Sequence, residues 1–394
     1  MSENRKILIL GAGKYQLPLI KKAKEMGLFV IVASIKGNYP GFKFTDKVYF
    51  VSTTDSEKVL GIAKTEKIDA VCTSGTDEAL VTLGTVCDYL ELPGITKDAA
   101  VLSTNKKLMK EAFRIGNVST PKFKTVSTIK DCLAVYDEFN APLIFKAVDS
   151  SGSRGIIKVE QREEVSNAIK YVHQTTSLPY FIIEEFIDGV EFGVQTAVVN
   201  GEIQFIMPHG DILFHGKTNV PVGHYVPLNF NDEIFHQIKL QIDLSVKALG
   251  LTTCAVNADF ILKGNQVYVL EVNARAGATC LPELVSEYYR FDYNQYLLKM
   301  SLGEKEVFPQ KKGSPCGNLL YCPKKSGSFN SVRIKNRDQY QIIEEVIDYA
   351  KGDQIKKFEV ALDRVGHVII KGKSVQEVIK KLDQLINDIN IVIE

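Results

Sequence analysis

Short apolar segments alternate with helical segments at the start of the chain. The pattern predicts buried strands at residues 6–10, 29–33, 48–51 and 69–73, and helices at residues 17–26 and 78–90. Strands that alternate with helices pair side by side in a parallel sheet, because the helices cover its faces. We therefore expect an α/β unit with a Rossmann-like arrangement over residues 1–98.

The remainder of the chain predicts mixed α+β structure. A helix is expected at residues 101–115, and tight hairpins are expected across Asn200-Gly201 and Gly264-Asn265. The pattern changes again near residue 300, which separates a central unit at 99–300 from a small C-terminal α+β unit at 301–394. This last unit predicts strands at 358–362 and 367–370 and an amphipathic helix with an apolar face formed by Val375, Val378, Ile379, Leu382, Leu385, Ile386 and Ile389.

Composition excludes several classes of function. The 394 residues include 48 basic and 47 acidic side chains, a formal net charge of +1, so no basic surface for nucleic acid or an anionic membrane is expected. No segment approaches the roughly 20 apolar residues that cross a bilayer. The seven cysteines form no Cys-x-x-Cys pair, which argues against a zinc site or a disulfide framework. We expect a cytoplasmic protein without nucleic-acid or membrane partners.

A glycine-containing turn follows the first predicted strand. Gly11 and Gly13 match the start of a dinucleotide-binding turn, but Gln16 occupies the place of its third glycine. A dehydrogenase is therefore disfavoured, and a tight turn that faces a substrate is the better interpretation.

A loop of small residues follows Lys146, which ends a predicted strand. Its members are Ser150, Ser151, Gly152, Ser153 and Gly155. Backbone N–H groups in such a loop can close over phosphate oxygens, and Lys146 would add a positive charge beside them. A plain hairpin loop is about as consistent with this segment alone.

Three acidic residues lie at the ends of the next two predicted strands. Glu184 and Glu185 end one strand, and Glu191 begins the other. A nucleotide base could lie against the first strand while a carboxylate holds ribose hydroxyls. Taken singly, acids at strand ends are more often solvated.

The strongest local signal combines Asp259 with Glu271, Asn273 and Arg275. Two carboxylates and an amide are hard oxygen ligands of the kind Mg²⁺ prefers, and residues 271, 273 and 275 alternate onto one face of an extended chain. Asp259 joins them only if it pairs with Glu271. A two-residue turn would pair Asp259 with Leu270 instead of Glu271. We therefore expect a three-residue hairpin loop at 264–266.

Together these segments, in this order, resemble the ATP-grasp superfamily over essentially the whole chain. The chain is similar to carboxylate–amine ligases related to biotin carboxylase, carbamoyl phosphate synthetase halves and L-amino-acid ligases. The resemblance implies a two-lobed ATP-grasp domain at 99–300 with a lid lobe at about 120–190.

The resemblance also implies roles for individual residues. Lys106, with Lys107 as its rival, and Lys146 would contact phosphate under a lid loop at 150–155, and Arg275 and Lys146 would be catalytic. The adenine and ribose site would comprise Glu184, Glu185, Phe186, Ile187 and Glu191. The metal ligands would be Asp259, Glu271 and Asn273, which would hold two Mg²⁺ ions that Mn²⁺ could replace.

The function implied is an ATP-dependent ligase that forms an amide or peptide bond through an acyl phosphate and releases ADP and phosphate. Amino-acid-like substrates are expected, with Glu283, Gly277, His209 and His224 as candidate contacts, and His215 and Asp211 lie in the same histidine-containing stretch. The alternatives are a ligase or carboxylase that uses bicarbonate or formate, and an ATP-binding protein without catalysis. A homo-oligomer, specifically a homodimer, is the expected assembly.

Overall fold

The first sheet lies at the start of the chain. The computed structural model describes residues 5–139, 142–150, 152, 154–176, 178–215 and 219–394. Four strands pair in parallel in the order β3-β2-β1-β4 and are followed by helices, which confirms the predicted α/β arrangement. The elements are β1 (Lys6–Leu10), α1 (Leu17–Glu25), β2 (Phe29–Ser34), β3 (Lys47–Phe50), α2 (Ser56–Glu66), β4 (Ala70–Cys72) and α3 (Leu80–Leu90).

Two helices stand where one was predicted. The chain forms α4 (Lys97–Thr104) and α5 (Lys106–Ile115), and it breaks at Asn105. Asn105 has extended backbone angles, and its side chain accepts a hydrogen bond from the backbone N–H of Leu108. The predicted single helix at 101–115 was wrong because this N-cap restarts the helix.

A small antiparallel sheet comes next along the chain. Its strand order is β5-β8-β6-β7, and two helices pack against it. Phe145, Phe181 and Val172 lie in its buried core. The elements are β5 (Phe123–Val126), α6 (Ile129–Phe139), β6 (Leu143–Lys146), β7 (Ile156–Val159), α7 (Val165–His173) and β8 (Phe181–Glu185).

The largest sheet has nine strands and continues past residue 300. Its order is β14-β13-β9-β11-β12-β15-β19-β17, with β10 paired to β9. Strands β11 and β12 contain the histidine stretch, whose strand structure the sequence pattern did not predict. The elements up to residue 301 are β9 (Val190–Val199), β10 (Glu202–Ile203), β11 (Met207–His215), β12 (Asn219–Val226), α8 (Asp232–Ala248), β13 (Cys254–Lys263), β14 (Gln266–Asn273), α9 (Leu281–Tyr289) and α10 (Tyr293–Ser301).

The last section completes this sheet and adds a three-stranded one in the order β18-β16-β20. Residues 358–362, predicted as a strand, instead lead into a short 3₁₀ helix at Ala361–Asp363, where Asp363 accepts hydrogen bonds from the backbone N–H groups of Glu359 and Val360. The elements are β15 (Cys316–Leu320), β16 (Gly327–Ile334), β17 (Gln341–Ile347), β18 (Gln354–Ile355), β19 (Gly366–Lys371), α11 (Val375–Asp388) and β20 (Ile389–Ile393). Among the described residues, no helix is long and apolar enough to cross a membrane.

The predicted apolar face of α11 is largely buried. Val378, Leu382 and Leu385 are fully buried, and α11 packs on β15, whereas Ile386 at the edge of this face is 46% exposed. The predicted amphipathic helix is confirmed, and its packing stabilises the last part of the sheet.

We expect Leu382→Ala to lower the free energy of unfolding by about 2–5 kcal/mol, because it opens a cavity under α11. Ile386→Ala on the same helix should cost roughly 1 kcal/mol or less, because its side chain already contacts solvent. Urea unfolding followed by circular dichroism measures both, and equal losses would contradict the packing described.

Candidate active site

The β13–β14 hairpin carries the acidic residues at the centre of the site. Asp259 pairs with Glu271, as predicted from the chemistry. The predicted three-residue loop was wrong, because Lys263 pairs with Gln266 across a two-residue turn. The register shifts between Asp259 and Phe260, and Phe260 pairs with Val269, so Leu270 is the extra residue of a β-bulge. The bulge supplies the one-residue offset that puts both carboxylates on one face.

Lys106 reaches this hairpin from the first turn of α5. Its Nζ lies 3.2 Å from Glu271 Oε1 and donates to the backbone oxygen of Ser150 at 2.6 Å. The Asn273 amide nitrogen donates to the same Glu271 oxygen at 3.1 Å. Burial would raise the pKa of Glu271, but Lys106 and Asn273 outweigh it and lower that pKa. Glu271 is therefore a charged carboxylate at neutral pH.

Lys107, the alternative to Lys106 as the first phosphate-contacting lysine, makes different contacts. Its Nζ lies 4.0 Å from Glu111 Oε1 on the same helix and 5.0 Å from the ring centroid of Tyr180. The structure thus brings Lys106 to the acidic hairpin and places Lys107 in surface contacts.

Lys146 lies in a buried cluster around Glu184. Its Nζ is 2.7 Å from Glu184 Oε2, and Lys110 Nζ is 3.2 Å from Glu184 Oε1. Burial opposes the charge of Lys146, but the carboxylates of Glu184 and Glu271 outweigh it and raise the pKa of Lys146. Glu184, expected at the adenine site, is held by two lysines, and its contact with adenine stays a prediction.

Lys110 was missed in the sequence. Burial lowers its pKa to about 8, and its Nζ donates to Thr120 Oγ1 at 2.5 Å. Lys110 follows Lys106 by four residues on α5, so the two side chains share a helix face. This spacing could have identified Lys110 from the sequence, because a lysine on the same helix face as Lys106 points toward the same site.

The small-residue loop stands beside Lys106 and Lys146. Ser151 and Ser153 lie outside the described residues. Gly152 and Gly155 have φ values of +64° and +66°, and a Cβ on Gly155 would come within 2.8 Å of the Ala147 side chain. Glycine is therefore required at 155 both for its backbone angle and for the close approach to the neighbouring strand.

The other predicted nucleotide residues follow at the end of β8. Glu185 accepts a hydrogen bond from the backbone N–H of Lys122 at 2.9 Å, and Phe186 packs under Lys158, whose Nζ is 4.1 Å from the ring centroid. Ile187 is buried, and Glu191 is exposed at the start of β9. The carboxylate of Glu191 also helps to raise the pKa of Lys146, so it lies within electrostatic range of that lysine.

Asp259 lies opposite Glu271 on the hairpin. Its side chain is solvent-exposed, yet desolvation by the surrounding protein, followed by the charges of Glu271 and Asp211, raises its pKa to about 7. With Glu271 and Asn273 it forms a set of oxygen donors on one face, which fits a hard divalent cation such as Mg²⁺.

Arg275 is held by Asp77, which follows β4, the last strand of the first sheet along the chain. Its Nε and Nη2 donate to the two carboxylate oxygens of Asp77 at 2.7 and 3.0 Å, and its Nη1 donates to the Ala276 backbone oxygen at 3.2 Å. Such a fork fixes the guanidinium plane. Asp77 was missed in the sequence, although it follows β4 at the carboxyl end of a parallel sheet, where ligand-facing residues gather.

The histidine stretch forms a compact cluster beside the hairpin. Ligand atoms of His209, Asp211 and His224 lie within 4.8 Å of one another, and both Nδ1 atoms contact Asp211 Oδ1, at 2.9 and 2.7 Å. Burial opposes the Asp211 charge, but the two imidazoles lower the pKa of that carboxyl. The side chain of His215 lies outside the described residues. A Cβ on Gly193 would come within 2.1 Å of the His209 ring, so Gly193 makes room for it.

The two remaining predicted substrate residues follow the metal hairpin. The Gly277 N–H donates to Gln195 Oε1 at 3.0 Å, so this amide is engaged by the protein. Glu283 lies in the first turn of α9 at intermediate exposure, and burial raises its pKa. Arg364 and His367 are the basic groups whose charges act on Glu283.

Two family models match parts of the chain. Residues 100–279 match the model of the ATP-grasp domain, and residues 320–394 match that of the L-amino acid ligase C-terminal domain 2. A solved structure of phosphoribosylglycinamide synthetase from Anaerococcus prevotii is 35% identical, with 100% of both chains covered and a TM-score of 0.85.

Two further relatives are more distant. The biotin carboxylase domain dimer of 2-oxoglutarate carboxylase from Hydrogenobacter thermophilus, in complex with MgADP, ADP and bicarbonate, shares the fold at 14% identity, with a TM-score of 0.80 over 98% of this chain and 90% of that one. Alanine–anticapsin ligase of Bacillus subtilis strain 168 is 25% identical over 287 residues, 65% of this chain and 60% of that protein. The chain spans 54% to 60% of the length of the first curated relatives that it matches.

We expect Lys106→Met to reduce ATP-dependent turnover by about 100-fold or more, because it removes a charge from the centre of the cleft. Lys107→Met, the neighbouring lysine on the surface, should change turnover by less than about threefold. Coupled-enzyme assay of ADP release measures both. A larger loss in Lys107→Met than in Lys106→Met would contradict the placement of these lysines.

Proposed function

This chain belongs to the ATP-grasp family, and from that premise we propose that it is an ATP-dependent ligase joining a carboxylate to an amine. The carboxylate attacks the γ-phosphate of ATP, and an acyl phosphate forms. The amine then displaces phosphate, so the products are an amide, ADP and inorganic phosphate. Amino-acid-like substrates are proposed for both positions.

One observation carries the proposal. Lysines from α5 and β6 and an arginine after β14 converge on the acidic hairpin. Lys106 is 3.2 Å from Glu271, whose charge also acts on Lys146. The charges of Asp259 and Glu271 both act on Arg275. Phosphoryl transfer needs charge neutralisation and alignment more than covalent help from the protein. A cluster of cations beside oxygen ligands supplies both requirements.

Each residue has a distinct part in this proposal. Lys106 and Lys146 would bind phosphate oxygens, and Arg275, oriented by Asp77, would stabilise charge on the transferred phosphoryl group. Asp259, Glu271 and Asn273 would hold Mg²⁺, which when bound supplies further neutralisation of phosphate charge. The backbone of the loop at 150–155 would close over the phosphates and exclude water that hydrolyses an acyl phosphate.

The substrate class rests on the relatives. The C-terminal residues 320–394 match an L-amino acid ligase domain, and alanine–anticapsin ligase is among the relatives of the central residues. These support amino-acid-like substrates for this chain. The carboxylase neighbour that holds bicarbonate shares the fold at only 14% identity, so a small inorganic acid is the second candidate and an outcome of the test below.

The division of the chain remains part of the proposal. We propose a Rossmann-like unit at 1–98, an ATP-grasp unit at 99–300 with its lid lobe at about 120–190, and a closing unit at 301–394. The separate sheet β5-β8-β6-β7 supports the lid lobe. A homodimer is supported by the dimer of the carboxylase neighbour, and a cytoplasmic location by seven cysteines without a disulfide.

We expect ADP and phosphate release to require a carboxylate and an amine together, with Mg²⁺ present. A screen pairs amino acids, bicarbonate and formate with amines, and mass spectrometry identifies the product. Chelation of Mg²⁺ by EDTA should abolish release. Formation of AMP and pyrophosphate would contradict the acyl-phosphate route. Turnover with bicarbonate as the only effective acid would favour the second candidate.

We expect Glu271→Gln to abolish turnover to below about 1% of the parent, because the amide loses the charge that faces Lys106 and the metal. Glu202→Gln on exposed β10 is the matched control and should retain full turnover. Circular dichroism checks that both variants fold. Undiminished turnover in a folded Glu271→Gln enzyme would refute the metal site.

A further inference from the structure

A buried lysine of α5 has no role in the function as proposed above. Lys110 is 1% exposed, and its ammonium group contacts three oxygen atoms. Its Nζ donates to Thr120 Oγ1 at 2.5 Å, lies 3.5 Å from the backbone oxygen of Val269 on β14, and lies 3.2 Å from Glu184 Oε1 on β8. Lys146, the other lysine on Glu184, is more exposed, at 9%. A side chain as buried as Lys110 acts through its neighbours rather than on a ligand directly.

The carboxylate of Glu184 is the charged neighbour of Lys110. Glu184 is 1% exposed, and Lys146 Nζ lies 2.7 Å from its Oε2. Among the described residues, no group donates a hydrogen bond of good geometry to its buried Oε1, so this oxygen depends on the ion pair with Lys110. Burial would raise the pKa of Glu184, but the charges of Lys110 and then of Lys146 outweigh it and lower that pKa. Lys110 thus acts more strongly than Lys146 on the charge of Glu184.

The group formed by Lys110, Lys146 and Glu184 carries an excess positive charge, because two lysines face one carboxylate. The charge of Glu271 also acts on both lysines, but that carboxylate is in an ion pair with Lys106 at 3.2 Å. An excess charge in a poorly solvated place is costly without a partner. The phosphates of a nucleotide supply a partner of the opposite sign.

We propose that Lys110 is a positioning residue for nucleotide binding: it neutralises Glu184, so that the charge of Lys146 remains available to the phosphates. Without Lys110, the ammonium group of Lys146 has to compensate a buried carboxylate and bind the nucleotide at the same time. The proposal rests on the phosphate contact of Lys146 that is part of the proposed function.

The charge of Lys110 changes within a measurable pH range. Burial lowers its pKa to about 8 against the opposing charge of Glu184, and the charge of Lys146 lowers it further. Lys110 is therefore charged at about pH 7 and largely neutral at about pH 9.5. The charged groups that act on it keep their charge over this interval, because the pKa values of Glu184 and Glu271 are lowered and that of Lys146 is raised. A neutral Lys110 no longer compensates Glu184, so nucleotide affinity should fall as the pH rises.

Isothermal titration of the full chain with MgADP tests this role. At about pH 7, Lys110→Met should bind MgADP roughly 10- to 100-fold more weakly than the parent, because Lys146 is then drawn to Glu184. Between about pH 7 and about pH 9.5, the affinity of the parent should fall towards that of the variant, whose own affinity should change by less than about threefold. Lys107→Met, the surface lysine on the same helix, is the matched control and should bind like the parent throughout.

Three results would overturn the proposal. Equal affinity of the parent and a folded Lys110→Met at neutral pH would show that Lys146 needs no help from Lys110. A loss in Lys110→Met that persists undiminished at high pH would indicate a structural role, because the parent has by then lost the same charge. Absence of MgADP binding by the parent would reject the phosphate contact itself. Circular dichroism checks that each variant folds.

A double-mutant cycle tests whether Lys110 acts through Glu184. In a Glu184→Gln background, Lys110→Met should weaken MgADP by less than about threefold, because no buried carboxylate remains to compete for Lys146. The double variant removes one charge of each sign, and the pH comparison still decides the matter if Glu184→Gln alone does not fold. A loss as large as in the parent background would show that Lys110 acts independently of Glu184 and would refute the assignment.

Failure of this role is distinguishable from failure of the ligase function, because MgADP binding requires neither acid nor amine. The stated MgADP pattern, without ADP release from any pair of acid and amine, would retain the role of Lys110 and reject the ligase. ADP release that requires both an acid and an amine, with equal MgADP affinity in the parent and Lys110→Met, would retain the ligase and reject the role of Lys110.

Discussion

The ion pair between Lys106 and the acidic hairpin is the interaction on which the rest of the site depends. Asp259 and Glu271 stand opposite each other on one face of β13 and β14, where two like charges repel. Lysine from α5 relieves that repulsion, and Asn273 shares the same carboxylate oxygen. The helix can deliver Lys106 there because Asn105 restarts it one residue earlier.

Several buried charged side chains in this protein lie beside polar or oppositely charged partners. Glu184 lies between Lys146 and Lys110, Arg275 lies on Asp77, and Asp211 lies between two histidines. The Glu184 and Arg275 groups join segments distant in the sequence. Removal of one partner leaves an uncompensated charge in a poorly solvated place. The protein thereby holds the polar residues of a cleft in fixed positions before any ligand arrives.

The sequence predicted what depends on local pattern or on chemistry. Strand and helix alternation predicted the first sheet, the apolar face predicted α11, and shared coordination chemistry predicted that Asp259 pairs with Glu271. Features that depend on tertiary contacts were not predictable: the bulge at Leu270 leaves no composition signal, and the position of Asp77 after β4 marks it as a cleft-facing residue without indicating that Arg275 is its partner. The apolar run at 358–362 led to a wrong strand prediction. Phe358 is buried by packing on Phe214, while Val360 and Leu362 remain exposed.

The continuity of the nine-stranded sheet also limits how the chain can be divided. Residues 223–226 of β12 pair with residues 316–319 of β15, and the Asn318 side chain accepts a hydrogen bond from the His224 backbone. A truncated chain that stops after α10 would leave the outer edge of β12 with unpaired backbone groups. Exposed edges of this kind associate with one another, so shortened versions of this protein would tend to aggregate even though their catalytic cleft is intact in sequence.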